Sequence, residues 1–176
     1  KILEDYNNGL KQSKIYISEY FPKNEFKKKS ILEIGCSWGY FLKNIKRKKN
    51  VVHGIEINSI RRNFVNRKLK IKCYKSLIDC QNRNLRYDYI FLFYVLEYLY
   101  NPVEYLTFLT KMLKVGGKII IVTPNLNDVL KDVWNIKGYL NFFYDEHAVN
   151  YFSIKSIKRL MKKVNISNFK VTCKQD

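Results

Sequence analysis

The clearest chemistry in this sequence lies in a glycine turn between an apolar run and an amphipathic segment. Ile31, Leu32 and Ile34 form the apolar run, which stops at Gly35, and the amphipathic segment starts just past Gly39. A buried strand, a turn and a helix N-terminus have this pattern. A Cβ at either glycine would block a ligand or forbid the required φ, so backbone N–H groups can approach a ligand closely here. The turn is therefore predicted to bind a cofactor.

An acidic residue, Glu56, follows the next apolar run, Val51 to Ile55. A carboxylate at the end of a second strand can accept both hydrogen bonds from a ribose diol, as in doubly wound nucleotide-binding folds. The alternative is an acid that only starts a helix near Asn58. Strand, glycine turn, helix, strand and acid occur together and in order, which favours a βαβ unit with a nucleotide-type cofactor.

The glycine spacing separates two classes of cofactor. A dinucleotide fingerprint, G-x-G-x-x-G counted from Gly35, would need glycines where Ser37 and Tyr40 stand, so NAD is not favoured. The residues resemble instead motif I of the class I S-adenosylmethionine (SAM) dependent methyltransferases, E/D-x-G-x-G-x-G. Glu33, Gly35 and Gly39 match this motif, and Ser37 replaces its middle glycine. A serine is small enough to be tolerated at this position if its φ is negative.

Further segments resemble the same family in the same order. Tyr87–Leu92 is similar to its F-D-x-I strand, Tyr94–Leu99 to its H-V-L-E-H-L stretch, and Lys114–Gly117 to its K-P-G-G turn. The resemblance covers the chain from Leu32 to Phe152. It implies an α/β fold with a doubly wound, mostly parallel, Rossmann-like sheet. It also implies SAM as cofactor and S-adenosylhomocysteine (SAH) as product.

The resemblance assigns most of the cofactor site. It implies that Glu33 and Gly35 hold the methionine moiety and that Glu56 holds the ribose. Ser76 and Leu77 are assigned to the adenine edge by their position alone. The remaining residues assigned to the cofactor are Cys36, Ser37, Gly39, Ile57 and Tyr94.

Tyr144, Glu146 and His147 are the candidate catalytic residues. Their segment resembles the E-H…F-S stretch of small-molecule methyltransferases, including sugar C-methyltransferases in which a tyrosine, a glutamate and a histidine at this spacing line the site. Methyl transfer from a sulfonium needs alignment of the acceptor, and the acceptor must lose a proton. A histidine near pH 7 can take that proton, and an adjacent carboxylate can orient the histidine. The alternative for His147 is a buried histidine that bonds a backbone carbonyl.

The elements that must position these residues follow from apolar periodicity. Helices are predicted at Ile2–Phe21, Ser59–Lys68, Pro102–Leu113 and Ile154–Lys163, the last with Ser153 as N-cap, and further strands at Ile71–Tyr74, Lys118–Val122 and Phe169–Cys173. The sequence predicts an N-terminal helix and linker over residues 1–29 and a SAM-binding domain over 30–176. An aromatic-rich substrate lid is predicted at about 126–152. The family's last antiparallel strand would follow Phe169–Cys173, and the sequence offers no candidate for it.

Composition limits the class of protein. The chain has 176 residues, of which 47% are hydrophobic, enough for one domain with a core. Its longest apolar run, Tyr89 to Tyr100, contains Glu97 and is shorter than the ~20 residues that span a bilayer. No segment resembles a signal peptide, so we expect a soluble, cytoplasmic protein. The four cysteines form no C-x-x-C pair, so neither a metal site nor a disulfide framework is predicted.

The net charge of +18 could attract anionic partners such as nucleic acid or nucleotide-linked sugars. Basic runs occur at Lys27–Lys29 and Lys46–Lys49. However, Lys, Asn, Ile and Tyr are abundant and Ala148 is the only alanine, a bias that an AT-rich genome imposes on any protein. The basic runs also lack the interleaved aromatic residues of a single-strand binding surface. Nucleic acid is therefore a less favoured partner than a small molecule.

These patterns favour a SAM-dependent methyltransferase that acts on a small-molecule acceptor, such as a sugar or another hydroxylated metabolite. Two alternatives remain. The charge is compatible with an RNA methyltransferase. Ser37, Tyr98 in place of the second histidine of H-V-L-E-H-L, and the missing strand are compatible with a degenerate member that binds a ligand without turnover.

Overall fold

The computed structural model describes residues 2–46, 49–81, 83–128 and 146–173. The chain divides into two compact units. We call residues 1–92 with 112–120 the first unit, and residues 93–111 with 121–176 the second unit. The domain boundaries predicted from the sequence stay a prediction.

A parallel sheet with the strand order β3-β2-β1-β4-β5 organises the fold. The strands are β1 (Ser30–Ile34), β2 (Val51–Ile55), β3 (Lys72–Tyr74), β4 (Tyr87–Phe93) and β5 (Leu113–Val122). β1 pairs in parallel with β2 and β4, and β2 pairs in parallel with β3. Backbone bonds from Tyr87 N to Met112 O and from Tyr94 N to Val122 O advance in the same direction, so β5 is parallel too. The strand order reverses between β1 and β4, which confirms the predicted doubly wound class.

The helices largely match their predicted positions. They are α1 (Ile2–Tyr20), α2 (Tyr40–Ile45), α3 (Ser59–Arg67), α4 (Leu77–Gln81), α5 (Pro102–Lys111) and α6 (Ile154–Lys163), with a 3-10 helix at Leu96–Tyr98. α6 has its predicted bounds, and Ser153 caps it by accepting a hydrogen bond from Ser156 N. α4 was missed because five residues show no clear periodicity.

An aromatic cluster fills the core of the first unit beside β1. Phe26 makes edge contacts with Phe41, Tyr89 and Phe91, with ring centroids 5.4 to 6.0 Å apart. All five residues of β1 are buried, as expected for a central parallel strand covered on both faces. This packing holds the end of β1, and therefore the glycine turn, in a fixed position.

The exposed edge of β3 is closed by a side chain of α3. Asn66 Nδ2 donates to Cys73 O at 2.9 Å, and Cys73 N donates to Asn66 Oδ1 at 3.1 Å. The amide therefore pairs with β3 as a neighbouring strand would. Closing the edge satisfies its backbone and blocks pairing with another chain.

Two sequence predictions at the strands are wrong. Phe169–Cys173 belongs to no strand; most of this stretch is exposed, so a strand there would bury little apolar surface. The predicted Lys114–Gly117 turn is part of β5. A Cβ at Gly117 would come within 2.9 Å of Tyr87 O, so the glycine lets β5 approach β4 closely.

Candidate functional site

The turn after β1 is built from residues with positive φ. Gly35 has φ 67°, Ser37 49° and Gly39 75°. A Cβ at Gly39 would lie 2.8 Å from Leu69 Cδ1. Both the positive φ of Gly39 and this close neighbour therefore disfavour a side chain at this position. Ser37 lacks the negative φ with which a serine would fit this turn without strain. A left-handed non-glycine residue costs about 1–3 kcal/mol and persists only where the surroundings hold it.

Glu56 is what holds Ser37. Ser37 N donates to Glu56 Oε2 at 2.8 Å, and Asn58 N donates to Glu56 Oε1 at 2.8 Å. The Glu56 side chain is buried, and each of its oxygens accepts one of these bonds. A carboxylate oxygen can accept a second bond, so one acceptor position per oxygen remains for a pair of hydroxyls. Glu56 therefore shapes the turn and keeps the capacity to bind a diol.

Glu33 is a buried carboxyl group with one unsatisfied oxygen. Its Oε2 has no hydrogen-bond partner among the residues that the structure describes, and the residue is only 5% exposed. Burial raises the pKa of this carboxyl well above its usual range, and the nearby Cys73 and Glu56 raise it further. The backbone N–H of Leu42 opposes that shift. A cationic group that reached Oε2 would favour the ionised form and satisfy the orphaned atom.

Cys36 and Cys73 place two thiols beneath the turn. Their Sγ atoms lie 3.5 Å apart, and all four cysteines are free. The hydrogen bond to Cys73, followed by burial, raises the pKa of Cys36, so this thiol stays protonated. A Cβ at Gly54 would lie 2.6 Å from Cys36 Sγ, so β2 needs glycine there to accommodate the turn.

Ile57 and the two residues assigned to the adenine edge, Ser76 and Leu77, differ in what they can offer a cofactor. Ile57 is 80% exposed. Ser76 caps α4: Ser76 Oγ donates to Asp79 Oδ2 and accepts from Asp79 N. The Ser76 hydroxyl is therefore already engaged, and Ile57, Leu77 and backbone groups are better suited to contact a flat ring.

Three residues that the sequence analysis missed support this site. Gly54 makes room for Cys36, Asn58 donates to Glu56, and Asp79 fixes Ser76. Ser76-x-x-Asp79 is a recognisable helix-start pattern that could have revealed α4. No sequence signal marks Gly54, because its role depends on a thiol from another strand.

Tyr94 belongs to the second unit and has an unusual backbone. It follows β4 with φ 53°, its N–H donates to Val122 O at 2.8 Å, and the residue is 54% exposed. A bulky residue in the left-handed region is a strained conformation of the kind found at functional sites.

Glu146 and His147 are highly exposed. His147 Nε2 lies 3.7 Å from Glu146 Oε1, and the two side chains are 78% and 87% exposed, respectively. The alternative of a buried, structural histidine is therefore wrong. The pair is close enough for the carboxylate to orient the imidazole after a small movement. Tyr144 lies outside the described residues, as does most of the predicted lid.

Glu97 anchors the chain just beyond this pair. It is only 4% exposed, and its Oε2 accepts a hydrogen bond from Thr123 Oγ1 at 3.1 Å. Its carbonyl accepts from Val149 N and Asn150 N at 2.9 and 3.0 Å. Glu97 thus ties the segment after His147 to the end of β5, a role that its place in the H-V-L-E-H-L-like stretch did not reveal.

The described residues contain neither a cluster of metal ligands nor a helix that could cross a membrane. No group of three or more His, Cys, Asp or Glu residues in the described ranges could hold a metal ion. Within the same ranges, every helix is too short or too polar to cross a bilayer.

The strand order, the glycine turn and the two buried acids Glu33 and Glu56 together define a class I SAM-dependent methyltransferase fold. A family model described as "Methyltransferase domain" matches residues 10–171. The chain belongs to this family, and the resemblance inferred from the sequence is confirmed. SAM is the cofactor of the family, as predicted.

One relative and two solved methyltransferase structures are similar to this chain. The chain is 27% identical to the uncharacterized protein MJ1123 of Methanocaldococcus jannaschii, covering 98% of this chain and 82% of the relative. A SAM-dependent methyltransferase from Archaeoglobus fulgidus superposes with a TM-score of 0.68 at 21% identity, over 88% of this chain and 68% of the other. The plantazolicin methyltransferase BpumL in complex with SAH gives 0.66 at 23% identity, over 93% and 68%. These structural likenesses establish the fold.

Proposed function

We propose that this protein binds SAM at the turn after β1 and transfers its methyl group to a small-molecule acceptor, such as a sugar or another hydroxylated metabolite. One observation carries the cofactor assignment: beside a left-handed turn, Glu33 keeps an unsatisfied oxygen and Glu56 keeps two acceptor positions. Both features suit SAM, which has an ammonium group and a ribose diol. BpumL, a similar fold, was crystallised with SAH.

Different residues are proposed to bind different parts of SAM. Glu56 accepts hydrogen bonds from the two ribose hydroxyls. Glu33, once ionised, stabilises the ammonium group of the methionine moiety at the Gly35 turn. Ile57 and Leu77 cover the adenine. When bound, SAM supplies an electrophilic methyl group, so the protein need only align and deprotonate the acceptor.

On the acceptor side, His147 is proposed as the general base and Glu146 as the residue that orients it. Tyr144 and the segment 126–152 are proposed to cover the acceptor, and Tyr94 to contact the reacting groups. The 3.7 Å approach of Glu146 to His147 and their exposure support this assignment, because an exposed imidazole beside a carboxylate is accessible to an acceptor.

The experiment that tests this function uses SAM with a radiolabelled methyl group. Purified protein is incubated with fractionated small metabolites and, separately, with RNA. We expect label to enter a hydroxylated small molecule. Label in RNA alone would favour the RNA methyltransferase alternative. SAM binding without transfer to any fraction would favour the degenerate one.

A further inference from the structure

The outer face of α6 is strongly basic. This ten-residue helix has five cations and no acidic residue. All five of its cationic residues are exposed: Lys155, Lys158, Arg159, Lys162 and Lys163. We call this set the α6 track.

The spacing of the α6 track makes its charges neighbours. Lys155, Lys158 and Lys162 lie three and four residues apart, and residues at these spacings adjoin on a helix surface. Like charges placed this way repel each other and weaken the helix. Among the residues that the structure describes, no carboxylate forms an ion pair with any member of the track. An external anion would remove this repulsion.

The inner face of α6 excludes one class of anionic partner. Leu160 and Met161 are buried, and α6 packs against α5. A helix that binds a membrane surface inserts its apolar face into the lipid. Because that face of α6 is already covered, the track is left to act through charge and hydrogen bonds alone.

A cavity adjoins the first turns of the track. It has a volume of about 440 Å³, and its lining residues are Asn125, Asn127, Ser153, Ile154, Lys155 and Lys158. Lys155 and Lys158 are therefore shared between the cavity and the track. Asn125 Nδ2 donates to Asn127 O and Asn125 Oδ1 accepts from Asn127 N, so this amide is already engaged. The side chain of Asn127 can hydrogen bond the edge of a nucleobase, and the lysines can neutralise phosphates. The cavity thus adds polar groups suited to a base where the row of cations begins.

We propose that the α6 track binds the phosphodiester backbone of single-stranded nucleic acid, with the adjoining cavity taking an unstacked base. A single phosphate would neutralise only part of the row, whereas a strand presents a charge at each nucleotide. The track covers about 12 Å along the helix axis, the rise of eight residues. This inference stands apart from methyl transfer, because it uses neither the turn after β1 nor His147.

Fluorescence anisotropy with labelled oligouridylate and oligodeoxythymidylate of about 12 nucleotides tests the proposal. The test variant K155Q/K158Q/K162Q removes three charges from the track. The control variant K11Q/K14Q/K27Q removes three exposed charges from the first unit, so both variants have the same net charge. Glutamine keeps a similar helix propensity, and circular dichroism verifies folding. Should the test variant fail to fold, R159Q/K163Q replaces it, with K11Q/K14Q as the control of equal net charge.

We expect wild type to bind both oligomers, and the track variant to bind at least tenfold more weakly while the control stays within about twofold. The slope of log K against log salt should fall by about 2 in the track variant, because each neutralised phosphate contributes about 0.7 for single strands. Stronger binding of the uridylate would assign the ligand as RNA, and equal binding as either strand. Equal losses in both variants would show that only net charge matters and would overturn the proposal. So would tighter binding to anionic phosphatidylserine vesicles than to either oligomer.

Discussion

The candidate cofactor-binding acids of the first unit and the candidate catalytic pair of the second unit differ in their surroundings. In the first unit, Glu33 and Glu56 are buried at the end of the glycine turn and interact with backbone N–H groups. In the second unit, Glu146 and its neighbour His147 are almost fully exposed. The first arrangement is held in place before any ligand binds. The second leaves the side chains accessible to an acceptor.

Because of this difference, the two sets of residues should contribute differently to stability and to function. A buried carboxyl with an orphaned oxygen is unfavourable for folding, so its presence is best explained by a ligand. An exposed pair contributes little to stability, since surface ion pairs contribute about 0–1 kcal/mol. Substitutions should therefore affect both folding and SAM binding in the first unit, and turnover alone at His147.

The largest effect is expected for H147A. If His147 is the general base, kcat should fall by roughly 10²- to 10⁴-fold while SAM affinity and thermal stability remain nearly unchanged. Steady-state kinetics with the acceptor found by labelling, together with calorimetry and thermal denaturation, would measure all three. E146Q is the matched variant and should cost less. An unchanged kcat in H147A would remove the residue from the mechanism.

The next largest effect is expected for E56A. Losing the acceptor of two ribose hydroxyls should weaken SAM and SAH alike by about 2 kcal/mol, the scale of hydrogen bonds to a charged group. The Ser37 and Asn58 amides would also lose their partner, so the melting temperature should fall. E104Q, at an exposed position of α5, is a control that should leave both quantities unchanged. Equal SAM affinity in E56A and wild type would refute the ribose role.

Replacement of Glu33 should change the pH dependence of the free energy of unfolding and should also weaken SAM binding. Burial raises the pKa of Glu33 in the folded protein, so above the ordinary carboxyl range the unfolded chain loses a proton that the folded chain retains. The contribution of Glu33 to the free energy of unfolding is therefore full at low pH and is lost as pH rises towards its folded pKa. E33Q should remove this dependence, raise the melting temperature at neutral pH, and weaken SAM about tenfold.

Denaturant titrations of wild type and E33Q across the acidic to neutral range would measure that dependence. SAM titrations at the same pH values would give the binding half. A melting temperature that falls in E33Q at neutral pH would mean that the carboxyl is satisfied in the folded protein, contrary to its orphaned Oε2.

The smallest effect is expected for S37G. Because Ser37 has φ 49°, glycine should relieve backbone strain and raise the free energy of unfolding by about 1 kcal/mol. S18G, in the last turn of α1, is the contrasting control and should destabilise the protein, because glycine is a poorer helix former than serine. Chemical denaturation measures both. A destabilised S37G would show that the surroundings do not strain this residue.

The sequence predicted the βαβ unit of the first unit better than the features of the second unit, and the reason is physical. Strands, glycines and the acid after β2 obey local rules, so the βαβ unit could be inferred without tertiary contacts. The φ of Ser37 could not, since it depends on a hydrogen bond to Glu56. Nor could the orphaned oxygen of Glu33, which arises from burial among residues distant in sequence.

In the second unit, the local signal at Ser153 correctly gave the start of α6, while longer-range features were missed. Phe169–Cys173 has the composition of a strand but is largely exposed. Glu97 gains its role only because its carbonyl meets Val149 and Asn150. The α6 track was overlooked because its cations are spaced along a helix and not gathered in a run.

Isothermal titration calorimetry of SAM, SAH and NAD into the folded protein tests the central claim most directly. We predict saturable binding of SAM and SAH with a stoichiometry of about one, and no heat from NAD, because the turn lacks the dinucleotide glycines. Absence of SAM binding to folded protein would contradict the account. Binding of NAD in place of SAM would contradict it equally.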